Sequence, residues 1–138
     1  MRSLARHQLA YEIALSWNEA TLASAATLAQ GYPIELRTLG VMQTMAFSMG
    51  KKELGHGALA SAIAQWVLSD KSGAPLGRTD ENKRSPVELL NKLARATQAE
   101  YLAADAEAIA FADAIKTISK ALNKSKNPGA KPEQGARQ

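Results

Sequence analysis

From Leu90 to Leu122 the chain sets apolar or small residues at spacings of three and four, through Leu93, Thr97, Tyr101, Ala104, Ala108, Phe111, Ile115 and Ile118, without a single glycine or proline. That period places all of them on one helical face. It predicts one long helix, or two nearly collinear ones with a weak point near residues 98–100. A stripe this long exceeds what one small core needs, which leaves part of it for packing on another chain. Alanine, at 27 of 138 residues, favours helix and allows close helix approach, and aromatic residues are only 5%. No segment alternates β-branched and polar residues as a strand would. The expected class is all-α, a compact helical bundle of about five to six helices.

The rest of the chain divides by its glycines and prolines. A first helix is expected over residues 4–30, with Leu4, Tyr11, Leu15, Leu22 and Ala25 on its stripe and Ile13 and Trp17 beside it. Gly31-Tyr32-Pro33 ends it. A second helix is expected over residues 34–49, with Leu39, Met42, Ala46 and Met49 sharing one face, broken by Gly50-Lys51-Lys52. A third, over residues 53–68, turns Leu59, Ile63, Trp66 and Val67 inward and starts softly at Gly55 and Gly57. Residues 70–84 read as a long polar loop. Ser85-Pro86-Val87-Glu88 opens the next helix as a capping box with proline at its first position. One helical domain is expected over residues 1–122. Residues 123–138, with Pro128, Gly129, Pro132, Gly135 and scattered lysines, read as a disordered basic tail.

The net charge of +4 is unevenly spread. Residues 1–36 carry −1, residues 37–95 +4, residues 96–115 −4 and residues 116–138 +5, so the molecule reads as dipolar. The absence of cysteine removes disulfides, thiolate metal sites and cysteine nucleophiles, and fits a cytoplasmic protein. No signal peptide or membrane span is expected.

Little of the chain carries chemistry. His7 and His56 stand without a metal-ligand spacing and read as surface residues. Glu100, Asp105, Glu107 and Asp113 form the one carboxylate cluster. On an amphipathic helix this is a solvated face or a set of salt-bridge partners; a metal-dependent nuclease is the sharper alternative. No phosphate-cradling glycine loop or Ser-His-Asp set exists, and no cofactor is expected. Trp17, Trp66, Phe47 and Phe111 read as core. The candidate contacts are basic: Lys51 and Lys52 at a helix corner, Arg78, Lys83 and Arg84 around the long loop, Arg37 on a helix, and Lys116 with Lys120 one turn apart. Such charges, with Lys92 and Arg95 nearby in sequence, suit sequence-independent phosphate contacts, set against an ordinary solvated surface.

Two blocks add a resemblance. Tyr32-Pro33-Ile34, Leu39-Gly40-Val41, Phe47 and Gly50-Lys51 form the first; Tyr101, Ala104-Asp105, Glu107, Ile109, Phe111 and Ile115-Lys116 form the second. Together they resemble the Cmr small-subunit family of type III-B CRISPR effector complexes. Leu102, Asp105, Ala114 and Thr117 depart from that family's usual residues. The resemblance implies a non-catalytic α-helical subunit that stacks with further copies of itself beside other effector subunits. It would help hold guide RNA and target RNA through the backbone, with Arg37, Lys51, Lys52, Arg78, Lys83, Arg84, Lys116 and Lys120 as RNA-binding candidates and no membrane or small-molecule substrate. The small subunit of type III-A complexes is the near rival. A helical protein–protein adaptor unrelated to RNA is the more distant one.

Overall fold

The computed structural model describes residues 2–126. Among them are seven α-helices and no strand. They are α1 (Arg2–Ser16), α2 (Glu19–Ala29), α3 (Tyr32–Leu39), α4 (Val41–Met49), α5 (Leu54–Val67), α6 (Pro86–Ala94) and α7 (Gln98–Lys126). The all-α expectation holds, with more breaks than the glycines and prolines announced.

The expected first helix is two. Asn18 caps α2 by accepting the Thr21 N–H at 2.8 Å, with Glu19 in the first turn where the helix dipole favours an acid. The break resets the helical phase. Ala10, Ile13 and Ala14 face the core, whereas Leu4, Tyr11 and Leu15, expected inward, lie on the exposed side of α1.

The expected second helix also divides, at Gly40, whose φ of +84° no side chain adopts cheaply. Its face was read the wrong way round. Leu39, Met42, Ala46 and Met49 point outward, and Val41, Thr44, Met45 and Ser48 are buried. Partners explain the inward polar residues: Ser48 Oγ bonds Tyr32 Oη at 2.6 Å, and Thr44 Oγ1 donates to the Glu35 carbonyl at 3.3 Å. Burial pushes the Tyr32 hydroxyl pKa up to about 12, with Ser48 acting in the opposite direction.

α5 behaves as expected, with Leu59, Ile63, Trp66 and Val67 buried. Its start is firm at one glycine only. A Cβ at Gly55 would lie 2.6 Å from the Ser24 carbonyl carbon, and the Gly55 N–H donates to Ser24 Oγ at 2.9 Å. Here the backbones of α2 and α5 approach closely, and Ala25 and Ala60 are fully buried.

The segment after α5 is built rather than loose. Short 3-10 turns occupy Asp70–Ser72 and Glu81–Lys83. Ser72 Oγ donates to the Val67 and Ser69 carbonyls, and Arg84 Nε donates to the Thr79 carbonyl at 3.1 Å. α6 opens as expected: Ser85 Oγ accepts the Glu88 N–H at 3.1 Å. The return half of that capping box is absent, because the Ser85 N–H donates to the Lys83 carbonyl.

The long terminal stripe is broken just before the expected weak point. Thr97 and Glu100 form a complete capping box, with Glu100 Oε1 accepting the Thr97 N–H at 2.9 Å and Thr97 Oγ1 accepting the Glu100 N–H at 3.1 Å. From there α7 runs 29 residues, about 43 Å. It is the spine of the molecule and touches α1, α2, α3 and α5. Ala104, Ala108, Phe111 and Ile115 are fully buried, and Phe111 stacks on Trp66 at 5.5 Å between ring centroids. Asn123–Lys126, expected in the tail, belong to this helix. The remainder of the expected disordered tail lies outside the described residues.

Candidate functional site

The carboxylates of α7 do not converge. Glu100 caps its own helix. Asp113 faces Arg37 of α3 at 3.4 Å in an exposed pair. Glu107, one of the cluster read as a solvated face or as salt-bridge partners, takes the second role: it is 7% exposed and accepts four groups, Arg2 Nη1 at 2.9 Å, Arg6 Nε and Nη2 at 3.3 Å, and Trp66 Nε1 at 2.9 Å. Arg6 also lies 6.0 Å from the Trp66 ring centroid. Glu107 thus pins the N-terminal helix and the core tryptophan to the spine. No three potential ligands gather to hold a metal among the described residues.

Asp105 performs a different task. Neither end of the Gly40 break carries a side-chain cap of its own, so the first amides of α4 look elsewhere. Asp105 Oδ1 accepts the Val41 N–H at 2.8 Å, and Tyr101 Oη accepts the Met42 N–H at 3.1 Å. A side chain at position 40 would collide with this arrangement, since its Cβ would stand 2.9 Å from Tyr101 Oη. The two blocks of sequence that carry the resemblance are therefore one structure: Leu39-Gly40-Val41 from the first and Tyr101 with Asp105 from the second. Sequence reasoning missed this cap, although an acid and a tyrosine four residues apart on the spine, with a glycine between two helices, are its signal.

The eight predicted basic residues fall into separate groups. Arg37 meets Asp113, and Lys116 and Lys120 follow Asp113 along α7 at one-turn spacing. Lys51 and Lys52 are exposed at the α4–α5 corner, where Lys51 Nζ lies 4.3 Å above the Phe47 ring. Arg78 and Lys83 line one shallow hollow with Lys92, whose Nζ donates to the Arg78 carbonyl at 2.9 Å; Arg78 itself pairs with Asp80 at 3.7 Å. Arg84 is set apart from them and lines a mixed-charge hollow with Glu12, Asp70, Lys71 and Glu81. Lys51, Lys52, Lys83, Lys116 and Lys120 hold no carboxylate partner among the described residues.

Two further expectations are corrected. Phe47, read as core, is 47% exposed. His56, read as surface, is buried, with Nε2 3.4 Å from Glu53 and its ring edge-to-face with Phe47. Both follow from the rotation of α4: its buried face starts at Val41, which turns Phe47 outward over the start of α5.

The described residues form an all-helical scaffold that spends the carboxylates of its spine on its own joints and leaves lysines open. The chain belongs to the CRISPR-associated protein (Cas_Cmr5) family, which matches residues 2–122 and provides a small subunit of the type III-B Cmr complex. Neither the curated proteins nor the solved structures gave a match. Membership implies association with other Cmr subunits. Among the described residues no helix is long and apolar enough to cross a membrane.

Proposed function

We propose that the chain is a non-catalytic structural subunit of the type III-B effector. In this reading it stacks with copies of itself along the complex and helps hold the guide–target RNA duplex through phosphate contacts. The carrying observation is the set of lysines with no carboxylate partner among the described residues, above all the exposed pair Lys51 and Lys52. A phosphate backbone needs cations in reach and no base-reading motif. Arg37, Arg78 and Arg84 already have internal partners and contribute less. The apolar residues left outside, Leu4, Tyr11 and Leu15 on α1 and Met42 and Met49 on α4, support docking against neighbouring subunits.

The test is a reconstituted complex carrying Lys51→Glu and Lys52→Glu. Target RNA binding is expected to weaken, and the slope of log affinity against log salt to fall by about two, one per lost contact. Unchanged target binding refutes the assignment of these lysines. Failure of the wild-type chain to enter the complex refutes the subunit role.

A further inference from the structure

We infer that the outer strip of α4 is a stacking site for one unpaired RNA base, formed by Gln43, Phe47, Lys51 and Lys52. The inference rests on the RNA-contact reading above and adds a contact that phosphate binding does not require.

The strip is distinct from the apolar face beside it. Residues four apart on a helix stand one above the other, about 6 Å apart along the axis. Gln43, Phe47 and Lys51 follow that spacing, so an amide, a ring and an ammonium lie in a row. Met42, Ala46 and Met49 form the neighbouring row. Lys51 completes its row just beyond the end of α4, where its N–H still donates to the Ser48 carbonyl at 3.1 Å and its ammonium stands over the ring.

No member has a carboxylate partner or a side-chain hydrogen bond among the described residues. The Gln43 side chain is exposed and makes no hydrogen bond among the described residues. Phe47 exposes nearly half its surface, an unusual position for a phenylalanine, with the Lys51 ammonium over its ring. Its inner contact is the His56 ring at 6.5 Å, which holds it from one side. The nearest carboxylate in sequence, Glu53, is turned to His56. The strip therefore has local positive charge, an exposed aromatic ring whose face is shared with a lysine ammonium, and a free amide. A protein partner's apolar side chain would fit the methionine row. A base fits this row, because a ring takes its face, lysines take its phosphates and the amide meets its polar edge.

In the free chain the Lys51 ammonium covers the ring. On binding it exchanges the ring for a phosphate, and the base takes the vacated face. No covalent step is involved.

The experiment uses the full chain and two single-stranded RNA probes: an adenosine octamer, and an octamer of the same length with abasic riboses. Binding is followed by fluorescence anisotropy across a salt series. The wild-type chain is expected to bind the adenosine octamer about 5- to 100-fold more tightly than the abasic one. Phe47→Leu, which keeps an apolar side chain, is expected to abolish that preference and leave the salt slope unchanged. Lys51→Gln with Lys52→Gln is expected to lower the slope and retain the preference. Equal wild-type affinity for the two probes, or a preference that survives Phe47→Leu, overturns the stacking site and leaves the phosphate reading standing if the lysine variant still loses affinity. Absence of binding to either probe at low salt overturns the stacking site too. If Phe47→Leu instead prevents entry into the reconstituted complex while probe binding is unchanged, the strip is a protein contact and the inference fails. Helical circular dichroism of each variant verifies folding.

Discussion

Replacing Gly40 by alanine tests the joint on which both sequence blocks meet. Two costs add. A non-glycine residue held at φ +84° and ψ 162° costs on the order of 1–3 kcal/mol. Its methyl group would also stand 2.9 Å from Tyr101 Oη, closer than carbon and oxygen tolerate, so the tyrosine must move. Moving it breaks the hydrogen bond to the Met42 N–H, worth about 0.5–1.5 kcal/mol. The sum is about 2–4 kcal/mol, or roughly 8–15 °C in Tm for a domain of this size. Tyr101→Phe alone costs only about 0.5 kcal/mol, because the freed amide reaches water. In the Tyr101→Phe background the added methyl no longer meets an oxygen, so Gly40→Ala loses about 1 kcal/mol of its penalty there. Urea denaturation of the four proteins closes this cycle. A Gly40→Ala cost below about 0.5 kcal/mol, or one that is the same in both backgrounds, refutes the steric account of the joint.

Glu107→Ala leaves Arg6 and the Trp66 N–H without their acceptor and is expected to cost about 3 kcal/mol by chemical denaturation, whereas Arg2→Ala, at the exposed end of the same network, costs under about 1 kcal/mol. Gly57→Ala, with nothing within 4 Å of the new methyl group, is expected to stabilise the protein by about 0.5–1 kcal/mol, and Gly55→Ala to destabilise it by more than that because backbone atoms of α2 stand in the way; thermal melts distinguish the signs. The Tyr32 hydroxyl ionises near pH 10 in the unfolded chain and near 12 in the folded one, so stability is complete below about pH 10 and falls by on the order of 2–3 kcal/mol as pH rises to about 12; the loss disappears in Tyr32→Phe, as denaturation at a series of alkaline pH values reports.

The parts legible in the sequence were those decided by one helix at a time. Leu59, Ile63, Trp66 and Val67 read inward from spacing alone, and they are buried because α5 packs against both α2 and α7. Ser85 announced α6 by its cap. The α1 and α4 faces were misread for a shared physical reason. Alanine, serine and threonine supply the buried surface at Ala10, Ala14, Thr44 and Ser48, where close approach and hydrogen bonds replace bulk. The larger residues Tyr11, Leu15, Met42 and Phe47 were left outside, so size was a poor guide to burial. At the candidate site the lysines were visible as charges, but which of them were free was not. That depends on Asp113 reaching Arg37 and Asp80 reaching Arg78. Glu107 looked like one of four equivalent acids until its two arginines, some hundred residues earlier, came into place around it.

That separation has a consequence for biosynthesis. Arg2 and Arg6 leave the ribosome well before their acceptor, which lies 105 and 101 positions later. At about 5–20 residues per second, the interval between them is on the order of 5–20 s, while a helix forms in about a microsecond. For that interval the α1 arginines lack their acceptor, and α1, a helix of 15 residues that is marginal by itself, has only its smaller contacts with α5 and the turn after it. Among the described helices α7 follows the other six, so its joint with α1 closes after they have been made.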